Sequence, residues 1–186
     1  MRTSGPVVGA LCVFVVAGFL WRYVVRAEEA GGVPGPRITF HNDDDGVRGV
    51  KLRLYLKTQP DRAWELVTNS TKAAKLFKNV SSITASARGP RYSDYHLSSI
   101  IGEKIVTCLV TRDDAHRRLS WKRVDGSLVA LYGYFKIDSD PHYPQHVRFE
   151  YGSYIDPGGI GRVLMTDRRR REAVQHMSSQ LRAMLE

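Results

Sequence analysis

From residue 81 to residue 155 the apolar residues recur at every second position, for about 75 residues without a lapse into helical spacing. Successive side chains of an extended chain point to opposite faces, so this stretch demands a sheet and excludes a helical bundle. Strands are expected at 81–88, 92–101, 104–112, 117–124, 127–138 and 146–155. The connections "RGPR", "GE", "RDDAH", "DG" and "DSDPHYPQ" are too short for parallel crossovers, so the neighbours must be antiparallel. "VDGS" reads as a tight hairpin, because Asp125 and Gly126 tolerate the positive φ values of a primed turn.

One strand is unusual. In "SLVALYGYFKI", residues 127–137, Val129, Leu131, Gly133, Phe135 and Ile137 share one face, and Leu128, Ala130, Tyr132 and Tyr134 share the other. A sheet with one wet face would alternate with polar residues, so a cover is expected on each side.

The flanks supply helices. "KLRLYLKT", 51–58, alternates cleanly, with Leu52, Leu54 and Leu56 on one face. "QPDRAWELVTN" then offers Pro60 at a first helical position and an inward stripe of Ala63, Trp64, Leu66 and Val67; "STKAAKLFKNV" predicts a second short helix. At the carboxyl end, Val163, Leu164, Val174, Met177, Leu181, Met184 and Leu185 recur at intervals near three and four. They predict one closing helix of roughly 25 residues, nearly 40 Å long. The expected class is α+β: a curved antiparallel sheet of about seven strands wrapped around a long C-terminal helix, with two short helices after the first strand.

Ahead of this domain, "VVGALCVFVVAGFLW", 7–21, is a continuous apolar run. Its length lies between a signal-peptide core and a short membrane span. Residues 1–27 are therefore expected to form an apolar helix that serves as a signal peptide or a single transmembrane anchor. The protein is then membrane-associated, or exported and periplasmic if the segment is cleaved after "VRA". Residues 28–47, with "GGVPGP" and then acids, read as a linker, and 48–186 as the folded domain. An EF-hand test of Asp43, Asp45 and Gly46 fails, because Leu52 stands where the twelfth-position carboxylate belongs.

The order and spacing of three segments resemble the START-like, or SRPBCC, helix-grip superfamily, specifically its polyketide cyclase/dehydrase and coenzyme Q-binding branch. They are "QPDRAWELVTNSTKAAKLFKNV", "RRLSWKRVDGSLVALYGYFKI" and "YGSYIDPGG" leading into the closing helix. The sequence departs from the usual pattern at Asn69, often acidic, and at Phe135, often Trp. The resemblance implies an apolar cavity between sheet and final helix that receives a lipid-like molecule such as a quinone or isoprenoid. The expected wall residues are Leu54, Phe77, Tyr95, Leu97, Trp121, Tyr132, Tyr134, Phe149, Tyr151, Leu164 and Met177. Two alternatives stay open: a cyclase or dehydratase, and a non-catalytic accessory domain with a filled core.

Catalytic chemistry is sparse in the sequence. His96, Arg123 and Glu150 are the polar residues expected to contact a ligand in the cavity, but no motif designates a catalytic residue. His142 and His146 stand four apart, yet Pro141 and Pro144 deny them a helix, so neither a metal nor a cofactor is expected. The formal net charge is +9, with Arg168, Arg169, Arg170 and Arg171 as its sharpest cluster. These four are the expected contact with an anionic membrane surface. A nucleic-acid partner is not expected, since no aromatic-interleaved basic stripe accompanies them.

Overall fold

The computed structural model describes residues 32–99 and 102–186. The apolar helix expected within residues 1–27 lies outside the described residues. The chain divides into two units, Met1–Pro34 and Gly35–Glu186, and every element below belongs to the second.

The strands are β1 (Arg37–Asn42), β2 (Arg48–Leu56), β3 (Val80–Ala85), β4 (Tyr92–Ser99), β5 (Gly102–Asp113), β6 (Arg118–Gly126), β7 (Ala130–Ser139) and β8 (Val147–Asp156). The helices are α1 (Pro60–Thr68) and α2 (Ser70–Ala74) between β2 and β3, then α3 (Gly159–Leu164) and α4 (Asp167–Leu185) after β8. All eight strands form one curved antiparallel sheet in the order β1-β2-β8-β7-β6-β5-β4-β3. The first and last long strands thus lie side by side, where Leu52 faces Tyr151 and Leu54 faces Phe149.

Alternation divides the sheet into two faces. The inner face carries Val50, Leu52, Leu54 and Leu56 of β2, Leu131, Phe135 and Ile137 of β7, and Val147, Phe149 and Tyr151 of β8, all buried. Helix α4 closes this face with Val174, Met177, Leu181 and Leu185, spaced three or four apart, while α1 adds Ala63, Trp64, Leu66 and Val67. This single cluster is the core of the domain.

The sheet has eight strands where about seven were expected. The additional one, β1, lies in the stretch read as linker: Phe40 pairs with Val50 and Ile38 with Leu52, extending the inner face by one strand. Flanking Gly, Pro and Asp residues mask a short alternation in "RITFHN".

The tight hairpin at Asp125–Gly126 does not form. Both residues instead end β6 and pair with Thr107 and Val106 of β5, after a register shift between Thr107 and Cys108. Gly126, at φ +107°, is required there because a Cβ would stand 2.8 Å from the Val106 Cα. The reversal falls on residues 127–129, and the Arg123 guanidinium closes it by donating to the Gly126 and Val129 carbonyl oxygens at 3.0 and 3.3 Å.

The closing helix is also divided. Thr166 is extended, at ψ 159°, and its side chain accepts from the Arg169 amide, so α4 begins there with 19 residues, about 28 Å, behind the short separate α3.

Among the described residues, no helix lies over the outer face of β7. Its cover is made by the sheet's own side chains: Tyr132 stacks on Tyr154 at 4.7 Å, His41 meets Tyr154 edge-on, and Arg118 lies 4.9 Å over the Tyr134 ring. The second apolar face is thus half-buried beneath aromatic neighbours.

Candidate functional site

The inner face gathers most of the expected wall residues. Leu54, Tyr95, Trp121, Phe149, Tyr151 and Met177 are buried in the core, with Phe77 and Leu97 packed against it. At its centre lies a ring cluster. Trp121 sits 5.1 Å from Phe135 and 6.2 Å from Tyr151, and Phe77 reaches over from the loop after α2 to within 5.9–6.3 Å of Trp121, Phe135 and Tyr151. Gly133 makes room for this cluster, because a Cβ there would stand 2.6 Å from the Trp121 ring.

Five expected contacts are elsewhere. Tyr132 and Tyr134 alternate with Leu131, Gly133 and Phe135, so they point to the outer face; the sequence could not say which of two apolar faces was inward. His96 lies between Tyr95 and Leu97 and therefore also faces outward, where its Nε2 is 3.2 Å from the Thr84 hydroxyl. Glu150 is outward as well and accepts from Arg53 Nε at 2.9 Å. Leu164 ends α3 and stays exposed rather than entering the core.

Arg123 is inward. It pairs across the sheet with buried Cys108, which in turn pairs with Ser93, two residues from Tyr95. Tyr95, Cys108 and Arg123 thus form a polar patch on three adjacent strands beside the ring cluster. The Arg123 Nε is buried without a hydrogen-bond partner among the described residues. Cys108, which the sequence reads as a small buried core residue, and Ser153, which sequence reading passed over, are buried on the same face.

Burial sets the chemistry of this patch. It pushes the Cys108 thiol up to about 12, only partly opposed by Arg123, and the Tyr151 hydroxyl up to about 12. Burial, with Cys108 and Tyr151 nearby, also raises Tyr95 well above the ordinary tyrosine range. All three are therefore protonated near neutrality and serve as hydrogen-bonding groups rather than nucleophiles. Among the described strand residues that point inward, none is Asp, Glu or His.

Two open clefts lie at the margins. One, of about 410 Å³, is bordered by the β1–β2 turn, Ile155, Met165 and the start of α4; the other, of about 340 Å³, runs between α2 and β3 beside Phe77 and Ile83. Of the four clustered arginines, Arg168, Arg169 and Arg171 are exposed. Arg170 is buried, donating to the Met165 and Ile155 carbonyl oxygens, and burial lowers its pKa, so it secures the α3–α4 junction instead of meeting a surface. The described residues contain no helix long and apolar enough to cross a membrane.

No family model and no curated protein matches this chain. Solved structures do resemble it. A START superfamily protein from Mycobacterium smegmatis superposes with a TM-score of 0.56 at 11% identity, over 74% of this chain and 96% of that one. A protein from Thermus thermophilus gives 0.57 at 16% identity, over 73% and 95%. The di-domain ARO/CYC BexL gives 0.55 at 16% identity over 73% of this chain and 45% of its own, so the match covers less than half of that protein. With the sheet order and the closing helix described above, these likenesses show that Gly35–Glu186 has the helix-grip fold shared by those structures.

Proposed function

We propose that the domain binds a hydrophobic, lipid-like ligand, of the quinone or isoprenoid kind, against the inner face of the sheet beneath α4. The carrying observation is the buried Arg123 Nε, left without a hydrogen-bond partner on the same inner face as the Tyr95 hydroxyl and beside an aromatic surface. A buried donor left unpaired costs roughly 1–3 kcal/mol, which a ligand oxygen placed between Tyr95 and Arg123 recovers. The ligand's apolar body supplies the affinity. Ten buried methylenes contribute about 8 kcal/mol, a micromolar dissociation constant before ordering costs.

The apolar run at 7–21 supports a role beside a membrane, with the domain anchored there or exported after cleavage. Acid–base chemistry of the cyclase kind, to which the likeness to BexL points, needs a base beside Tyr95 and Arg123. The outward His96 and Glu150 do not supply one, so binding is the better reading.

A second reading rests on the ring cluster itself: Phe77, Trp121, Phe135, Phe149 and Tyr151 occupy the centre of the space where a ligand would lie. On that reading the domain is a filled scaffold. Native mass spectrometry with lipid extraction separates the two. The binding reading predicts one retained hydrophobic molecule per domain, and the filled scaffold predicts the bare mass and no saturable uptake of added quinone.

A further inference from the structure

The end of the domain where β8 gives way to α3 carries an uncovered apolar surface. Ile160 and Val163 are 80% and 78% exposed, and Leu164 is 41% exposed. Their spacing puts all three near one side of a six-residue helix that buries none of its residues. Val129, 57% exposed in the β6–β7 turn, adjoins them. Its amide donates to the Asp156 carbonyl at 2.9 Å, and a Cβ on Gly158 would stand 2.8 Å from its side chain. Isolated exposed aliphatics are ordinary, but four from two separate segments at one end form a patch.

The tip is held in place. Arg170 donates to Met165 and Ile155 on either side of α3, and Arg162 pairs with Asp156 just before it. Exposed cations follow it in the chain: Arg162 on α3 itself, then Arg168, Arg169 and Arg171 in the first turns of α4, the last lying 5.4 Å over the Phe40 ring. Arg168 meets Glu172 only as a surface pair whose side chains are 87% and 45% exposed, an interaction worth little in water.

We infer that this tip, Val129 with Ile160, Val163 and Leu164, inserts into the surface of an anionic lipid bilayer, with Arg168, Arg169 and Arg171 engaging the headgroups. Apolar side chains with exposed arginines next to them in the chain match the boundary between acyl chains and anionic headgroups. A second copy of the chain fits less well, because four side chains fall far short of the roughly 800 Å² per partner that a stable dimer buries. The inference rests on the reading that the apolar run at 7–21 places the domain beside a membrane. The docked tip brings the 410 Å³ cleft, whose border includes Arg162, Met165 and Arg170, up to the lipid surface.

The test uses the full chain carrying Cys12→Ser and Val163→Cys, labelled at residue 163 with an environment-sensitive nitrobenzoxadiazole dye. It is mixed with vesicles of phosphatidylcholine alone or with a quarter phosphatidylglycerol. Expected is a blue-shifted dye, quenched by nitroxide lipids, in the anionic vesicles. A dye on His142→Cys, in the loop at the opposite end of β7 and β8, should remain in water. Replacing Arg168, Arg169 and Arg171 together by Gln should weaken the residue-163 signal at least about tenfold. If the chain floats with vesicles while the dye at 163 remains aqueous, the tip inference is overturned and the membrane reading stands. If the chain does not float, both fall. A blue shift that needs no vesicles and grows with protein concentration would overturn it in favour of self-association.

Discussion

At Gly133 a single hydrogen atom decides whether the centre of the domain can form. The Trp121 ring lies where a Cβ would stand, and the Gly152 carbonyl oxygen closes the other side, so Gly133→Ala forces backbone or ring to move. Overpacking of this kind costs about 1–3 kcal/mol. Trp121→Ala, which empties the middle of the ring cluster, should cost about 3–5 kcal/mol, and the outward Tyr132→Ala clearly less. Urea midpoints of the three variants check the order; equal losses at Trp121 and Tyr132 would mean the inner face is not the core. His41 carries a pH prediction. Burial, then Lys51 and Arg48, lowers its pKa, and its Nε2 contacts the Tyr154 hydroxyl. The unfolded chain therefore takes up the proton first, and stability falls as pH drops below about 6.5 toward the lower folded value. His41→Gln should flatten that fall between pH 6.5 and 5, measured by urea midpoints across the range; an unchanged slope would remove His41 as its source.

The elements show what periodicity reveals and what it hides. The six strands after residue 80 and the helical pair after β2 follow from alternation, Pro60 and short connections, and all stand near their expected positions. β1 escaped notice because six residues between Gly, Pro and Asp give little pattern to count, and its place beside β2 is a long-range pairing. The consequence is testable: a fragment beginning at Arg48, the boundary that sequence alone proposes, should melt well below one beginning at Gly35, because it exposes the β2 edge and loses Phe40. Equal melting temperatures would make β1 dispensable. The turn at Asp125–Gly126 misled for a different reason. A glycine that suits a tight turn also suits close approach to a neighbouring strand, and here it lies against Val106. Thr166 could have been read as a cap, since Asp167 follows it, but the continuous apolar spacing on both sides concealed the break. Thr166→Ala should cost about 1 kcal/mol of stability through loss of the bond from the Arg169 amide.

At the scale of the molecule, the fold was legible because order and spacing of elements suffice for it, whereas the site was legible only in part. Tyr95, Trp121, Tyr151 and Arg123 share the inner face as expected, while His96, Glu150, Tyr132 and Tyr134 fell to the other side. In a strand apolar on both faces, sequence cannot assign inside from outside; only pairing with β8 and the position of α4 do so. The account's central claim is that a hydrophobic molecule is held on this inner face with its polar end at Tyr95 and Arg123. The most direct measurement is titration of the domain beginning at Gly35 with a fluorescent fatty acid, followed by energy transfer from its two tryptophans, Trp64 and Trp121, in the parent and in Tyr95→Phe and Tyr132→Phe. The account predicts saturable binding of one molecule per domain, weakened by Tyr95→Phe and unaffected by Tyr132→Phe. Non-saturable partitioning, or identical binding by all three proteins, would contradict it.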